Sequence, residues 1–350
     1  MKICHIAPLW ERVPPSGYGG IELYLYDLLC EQARDKSLDV TIYATEDSII
    51  PKGIRHIPMC PHPLRTDKFV KNPQAYYSFM LGRVFRDANK FDILHNHVDH
   101  NAFPFTQFTK TPMVTHLHSP LIPERLKVYR EYNKNTYFVS ISLRQQKLVP
   151  DLNYVANIYH GIPLEKFPFG GKPRDHLVWM GRISPEKDTG TAVQVARATG
   201  RKIILAGKVD PVDEDYFQAE VKPYIDREQV VYLGELSFED KVNFLKDAYA
   251  FLMPLTWEEP FGLVLIESMA CGTPVIAMDR GSVPEIVKNK VNGFVVKDFE
   301  EMVEAVDKVG EIKREACRKY VEDNFNVSQM ALEHKKMYNE VIARHKKVKK

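Results

Sequence analysis

One alternation runs along nearly the whole of this 350-residue chain: short β-branched runs that end in turn residues, separated by segments of helical period. Parallel sheets covered by helices on both faces produce that pattern, so the fold class is read as α/β. In the first half, strands are predicted at KICHIAPL, VTIYAT, DILHNH, PMVTHLH and YFVSIS, with helices at IELYLYDLLCEQAR and PQAYYSFMLGRVFRDA between them. The pattern then restarts with HLVWMGR, KIILAGK, VVYLGEL, AFLMPL, PVIAMDR and GFVV. A single hydrophobic core rarely grows to this length, so the restart predicts a second doubly wound unit.

Residues 160–175, HGIPLEKFPFGGKPRD, are dense in Pro and Gly and lack helical period, which marks an interdomain connection. The boundary is placed near Phe169, giving domains 1–168 and 169–327. The last helical segment, about 328–345, is expected to pack back on the first domain.

Composition narrows the chemistry. Lys plus Arg number 48 against 46 for Asp plus Glu, so no global field favours nucleic acid and any anion must be caught locally. The five cysteines are widely spread and form no CxxC pair, which fits a reducing cytoplasm. The opening apolar run breaks at Trp10, Glu11 and Arg12, too soon for a signal peptide, and no span reaches transmembrane length. The basic tail HKKVKK is read as a solvated terminus, with peripheral contact to anionic lipid as its alternative.

In open α/β sheets ligands bind beyond the carboxyl ends of the strands, so those ends carry the candidates. In WEEPFGLVLIESMACGTPVIA a strand passes through a short turn into a helix predicted to open at about Phe261 and close at Gly272. Free N–H groups at Phe261, Gly262 and Leu263 would form a phosphate site. Glu267 lies five residues past Gly262, about 7.5 Å along a helix, a span that suits a ribose beside that phosphate. Glu259 stands just before the helix, either to bind hydroxyls or as an acid favoured by the helix dipole.

In WMGRISPEKD, Gly181 ends a strand and Arg182 follows, with Lys187 predicted in a helix opened by Ser184 and Pro185. Arg182 and Lys187 together would neutralise a departing diphosphate without a metal. Gly19 and Gly20 in SGYGGIE allow close backbone approach at a helix start, or form an ordinary turn; the run is not GxGxxG. Strand alternation puts His116 and His118 on one face, where either one points at a ligand or both are satisfied within the fold. His95, His97 and His100 with Asp99 resemble a metal site, but no matching ligand set is evident, and they are read as a polar loop at a strand end. Asp213 and Asp215 form a DxD pattern that is read as acids placed before a helix. No metal is expected.

Read together, GRISPEKD, EEPFGLVLIESMACGTPVIA and GSVPEIVKNKVNGF resemble the donor half of the retaining family 4 glycosyltransferases with the GT-B fold. APLWERVPPSGYGGIE and PMVTHLHSP are similar to that family's N-terminal half, so the resemblance spans nearly the whole chain. It implies two Rossmann-like domains facing across a cleft, and transfer of a hexose from a nucleotide diphosphate sugar, UDP favoured, to a hydroxyl acceptor by front-face attack. It places Glu259 and His118 on the donor sugar, Glu267 on the ribose, Arg182 and Lys187 on the diphosphate and Gly20 on the phosphate, with Glu285 supporting the donor loop. It implies no cofactor beyond the nucleotide sugar, and leaves open a glycan, a lipid-linked sugar or a small molecule as acceptor. One departure is the run from His160 to Pro163, where the family often carries Asn-Gly-Ile or Asn-Gly-Val followed by Asp.

Three other readings share parts of this pattern. A GT-B nucleotide-sugar epimerase has the same architecture. A dehydrogenase would use Glu46 as its ribose acid but lacks GxGxxG. A two-domain sugar-binding protein without chemistry is usually exported, against the absence of a signal sequence.

Overall fold

The structure is a computed structural model that describes residues 1–17 and 19–348. The chain divides into two compact units, Met1–Gly161 completed by the last helix, Val327–Val348, and Ile162–Asn326.

Unit 1 is a seven-stranded parallel sheet built from β1 (Lys2–Ile6), β2 (Asp39–Ala44), β3 (Arg55–Pro58), β4 (Ile93–Asn96), β5 (Met113–His116), β6 (Tyr137–Ser140) and β7 (Tyr154–Asn157). Their spatial order is β3-β2-β1-β4-β5-β6-β7. The strands at its heart are buried on both faces because both are covered. One side packs Tyr24, Leu25, Leu28 and Leu29 of the helix Gly20–Arg34 with Met337, Tyr338 and Val341 of the last helix; the other packs Met80, Leu81 and Val84 of the helix Pro73–Asp87.

Unit 2 is a six-stranded parallel sheet of β8 (His176–Met180), β9 (Lys202–Ala206), β10 (Val230–Tyr232), β11 (Ala250–Met253), β12 (Val275–Met278) and β13 (Gly293–Val296), in the order β10-β9-β8-β11-β12-β13. Chain direction across the sheet reverses between β1 and β4 in unit 1 and between β8 and β11 in unit 2. Those two switch points open crevices at the strand ends, where ligands of such sheets bind.

The observed elements differ from the sequence reading in identifiable ways. β3 and β7 were not predicted. Both are edge strands, half-buried, and RHIP and YVAN lack the apolar run that two covered faces demand. The unit boundary lies at 161/162, not near Phe169. Ile162 already pairs with Asn326, and the Phe167 ring packs edge-on against Phe238 at 5.5 Å, so 162–168 are anchored in unit 2. Among the described residues no helix is long and apolar enough to cross a membrane.

Candidate active site

The switch point of unit 2 gathers the acids and bases that the sequence singled out. Arg182 follows β8, and Glu259 follows β11. The two loops are tied together by the Thr256 N–H, which donates to the Glu186 carbonyl at 3.1 Å, and by the Thr256 hydroxyl, which donates to the Pro185 carbonyl at 3.2 Å. Lys187 therefore reaches Glu259 across 72 residues of sequence and forms an ion pair with it. Trp257 completes the arrangement: its Nε1–H donates to Glu259 Oε2 at 2.9 Å, and its ring lies 4.8 Å from the Lys187 ammonium. Glu259 is only 7% exposed, so the Lys187 ammonium and the indole N–H stand where water would otherwise solvate its charge.

Lys187 does not sit in a helix, as the sequence suggested. Residues 185–188 form a turn, and the helix Thr189–Ala198 begins later, capped by Asp188, whose side chain accepts from the Thr191 N–H. Asp188 holds the left-handed conformation, which redirects the chain and turns Lys187 toward Glu259. The approach of β8 to β9 demands glycine: at Gly207, φ +142°, a Cβ would lie 1.7 Å from the Gly181 carbonyl oxygen.

Arg182 forms ion pairs with Glu186 and, at 2.7 Å, with Asp213. Asp213 stands just before the short helix Glu214–Tyr216, whose first turn holds Asp215, as the sequence reading had it, and Asp213 has a second role as well. It is 6% exposed and serves as the counter-charge of Arg182, whereas Asp215 is exposed and Asp213 stands without it.

The glycine-containing turn after β11 is built as expected, but its helix starts later, at Leu263 and not Phe261, and ends at Ala270. Gly262 caps it with φ +80°. The Leu265 N–H is already bonded to the Gly262 carbonyl, so the N–H groups of Leu263 and Val264 are the ones that have no carbonyl within the helix. The Phe261 side chain is core, 2% exposed and edge-on to Phe325. The turn is held from behind by GSVPE: Gly281 has φ +56°, and a Cβ there would lie 2.1 Å from the Glu259 carbonyl oxygen. The Ser282 N–H donates to the Glu259 carbonyl at 2.9 Å, and its hydroxyl to the Phe261 carbonyl at 2.7 Å. Glu285 stands in the short helix Val283–Ile286 that follows.

Glu267 is 4% exposed and ion-paired at 2.6 Å with Lys241, which the sequence reading did not identify. Lys241 lies in an ordinary amphipathic helix, Phe238–Lys246, and only the three-dimensional packing brings it to Glu267.

At the switch point of unit 1 the fold assembles histidines that are far apart in sequence. His5 is on β1, His95 and His97 on β4 and just beyond it, His116 and His118 likewise at β5, and His160 and His334 join them around Tyr24. The polar-loop reading of His95 and His97 is corrected: they are 0% and 3% exposed inside this cluster, and His100 alone lies outside, beside Asp99. Burial pushes every one of the seven down, His5 and His118 to about 3 and His334 to about 4, so all are neutral at pH 7.

The hydrogen bonds set the tautomers. Gln32 Oε1 accepts from His5 Nε2 at 2.9 Å, so His5 Nδ1 is an acceptor and takes the His97 Nε2–H at 3.1 Å. His97 Nδ1 then takes the His118 Nε2–H at 3.0 Å, and His118 Nδ1 is left as an enclosed acceptor without a partner. His116 stacks on His118 with centroids 4.7 Å apart, on the shared face that alternation predicted. Nearby, Gly19 precedes the first helix and Gly20 begins it. The glycine at 19 answers to the chain itself, because a Cβ there would lie 2.7 Å from Pro15.

Residues 165–327 match the family described as Glycosyl transferases group 1. An uncharacterized glycosyltransferase, MJ1607, of Methanocaldococcus jannaschii is 28% identical over 95% of this chain and 99% of its own length. The D-inositol 3-phosphate glycosyltransferase of Saccharomonospora viridis is 27% identical over 87% of this chain and 84% of its own. A solved structure of Anabaena HepE in complex with UDP and glucose superposes with a TM-score of 0.75 at 19% identity, covering 97% of this chain and all of that one. With two Rossmann-like parallel sheets and group 1 signatures through its second unit, the chain is a glycosyltransferase of the GT-B fold.

Proposed function

We propose that the chain transfers a hexose from a UDP-sugar to a hydroxyl acceptor with retention of configuration and without a divalent metal at the diphosphate. The observation that carries this reading is the buried Lys187, Glu259 and Trp257 group at the switch point of unit 2, with Arg182 on the adjoining strand end. The UDP bound to HepE supports the choice of nucleotide.

In this reading the diphosphate lies at the start of the helix Leu263–Ala270, where N–H groups and the helix dipole favour an anion. Arg182 and Lys187 exchange part of their carboxylate pairing for phosphate oxygens as the leaving group gains charge, which is stabilisation realised most fully in the transition state. Glu267 accepts from the ribose hydroxyls and Glu259 from the sugar hydroxyls. The departing phosphate oxygen removes the acceptor's proton in front-face attack, so no side chain acts as a strong base. None of the five cysteines is joined in a disulfide, which fits a cytoplasmic enzyme.

The test combines calorimetry of UDP, GDP and ADP with assays of nucleoside diphosphate release from UDP-hexoses in EDTA. UDP binding with turnover in EDTA is expected. Activity lost in EDTA and restored by Mg²⁺ or Mn²⁺ would overturn the metal-free reading, and preference for another nucleotide would overturn UDP.

A further inference from the structure

We propose that unit 1 holds a divalent transition-metal ion on His95, His116 and His334. Each offers a ring nitrogen within 4.8 Å of the other two, and all three residues are buried. Their ring centroids form a nearly equilateral triangle, 5.5 Å from His95 to His116, 5.6 Å from His95 to His334 and 5.3 Å from His116 to His334. Three imidazoles on one tetrahedral ion with metal–nitrogen bonds of about 2.0–2.1 Å have centroids roughly 5.2 Å apart. The rings need to turn toward a common centre, not to travel.

The hydrogen bonds select this triad. His95 Nε2 and both nitrogens of His116 are enclosed without a partner, an arrangement that a polar core avoids unless something else supplies the contact. His334 Nδ1 donates to the Met330 carbonyl at 2.8 Å, which makes Nε2 its lone-pair nitrogen; that atom now accepts the Tyr24 hydroxyl at 2.7 Å. His95 Nδ1 is bonded to the Tyr338 hydroxyl at 2.7 Å, leaving Nε2 as the nitrogen for an ion. A second bond from the far nitrogen to a carbonyl or hydroxyl is the support that orients metal-ligating histidines. The alternative trio of His5, His95 and His97 lacks this freedom, because His5 and His97 use both nitrogens within the chain from Gln32 to His118.

Three neutral imidazoles without thiolate suit Zn²⁺, Co²⁺ or Ni²⁺, with a fourth position beside the Tyr24 hydroxyl for water. The three ligands belong to unit 1 and the diphosphate-binding groups proposed above belong to unit 2, so this proposal does not depend on that reading.

Untagged protein stripped with chelator and titrated with Co²⁺ tests the proposal. Visible absorption characteristic of four-coordinate cobalt and one ion per chain are expected, with Zn²⁺ displacing it. His95→Gln and His116→Gln, checked for folding by circular dichroism, should weaken binding more than about tenfold. His100→Gln, outside the cluster, should bind as the parent does. X-ray absorption of the zinc-loaded parent protein reads the ligands without any variant, and imidazole scattering is expected. No binding by the folded parent, unchanged affinity in both cluster variants, or a shell without imidazole would overturn the proposal.

Discussion

Glu267 and Glu259 sit eight residues apart, each 7% exposed or less and each paired with a lysine, yet the proposed roles separate them. Glu267→Ala is expected to weaken UDP binding about tenfold or more, the loss of about 1.4 kcal/mol, whereas Glu259→Ala should leave UDP affinity close to the parent and slow sugar transfer. Calorimetry with bare UDP, beside a turnover assay, distinguishes the two, and equal loss of affinity in both would show the roles wrongly assigned. Glu22 carries a different kind of signal. Burial at the start of the first helix raises its pKa from 4.5 to about 7, and the nearby Glu11 carboxylate adds to the rise. The folded chain therefore holds this proton more tightly than the unfolded one. Its contribution to stability is fully present below pH 4.5 and is lost as pH rises through about 7, at most about 1.4 kcal/mol per pH unit. In urea unfolding at a series of pH values, Glu22→Gln should flatten that part of the profile; an unchanged slope would place the titration elsewhere. At this scale the sequence disclosed Arg182, Lys187, Glu259 and Glu267 because strand ends and a helix start mark them. It did not disclose Lys241, Asp213 or the joining of seven histidines, since those depend on which strands become neighbours.

Among elements, Arg314 ties together the chain segments that surround the end of the helix Leu263–Ala270. Its guanidinium donates to the carbonyls of Gly170, Lys246 and Ala248, at 2.6, 2.7 and 2.9 Å, and to the Thr273 hydroxyl at 2.9 Å. Arg318 in the same helix, Arg314–Asn324, donates to the Ala270 and Phe167 carbonyls. Lys cannot reproduce a planar fork with five donors. Arg314→Met is expected to lower the stability of unit 2 by about 2–3 kcal/mol, because several buried carbonyls lose a charged donor at once. Thermal unfolding followed by fluorescence of Trp179 and Trp257, both in unit 2, measures it; a transition within experimental error of the parent would refute the role. The elements themselves were largely legible, since six of six strands in unit 2 carry apolar runs bounded by turns. The misplaced helix starts at 189 and 263 have one cause: a residue with positive φ, Asp188 or Gly262, bends the chain just before the helix, and periodicity cannot see a bend.

Across the whole molecule, chain order and spatial order disagree, because unit 1 is completed by a helix that follows unit 2 in the sequence. The helix Val327–Val348 places Met330, Met337, Tyr338 and Val341 in the core formed with Tyr24, Leu25 and Leu28, hydrogen-bonds His334 to Tyr24, and pairs Lys335 with Asp35 at 2.6 Å. Burying four such apolar side chains contributes about 1.5–3 kcal/mol each, a sum comparable with the net stability of about 5–15 kcal/mol typical of a whole domain. A chain ending at Asn326 is therefore expected to leave residues 1–161 unfolded. Apart from Gly19 and Gly20, the groups proposed to bind the nucleotide lie in residues 162–326, with Arg182, Lys187, Glu267 and the helix start at Leu263 all retained. Limited trypsin digestion of the shortened chain should then remove residues 1–161 and spare a fragment close to 162–326. Calorimetry on that chain should still record UDP binding. If residues 1–161 resist digestion as they do in the full chain, the last helix is not what completes unit 1. If the spared fragment fails to bind UDP, groups of unit 1 contribute to nucleotide affinity, and the assignment of binding to Glu267 and its neighbours alone is wrong.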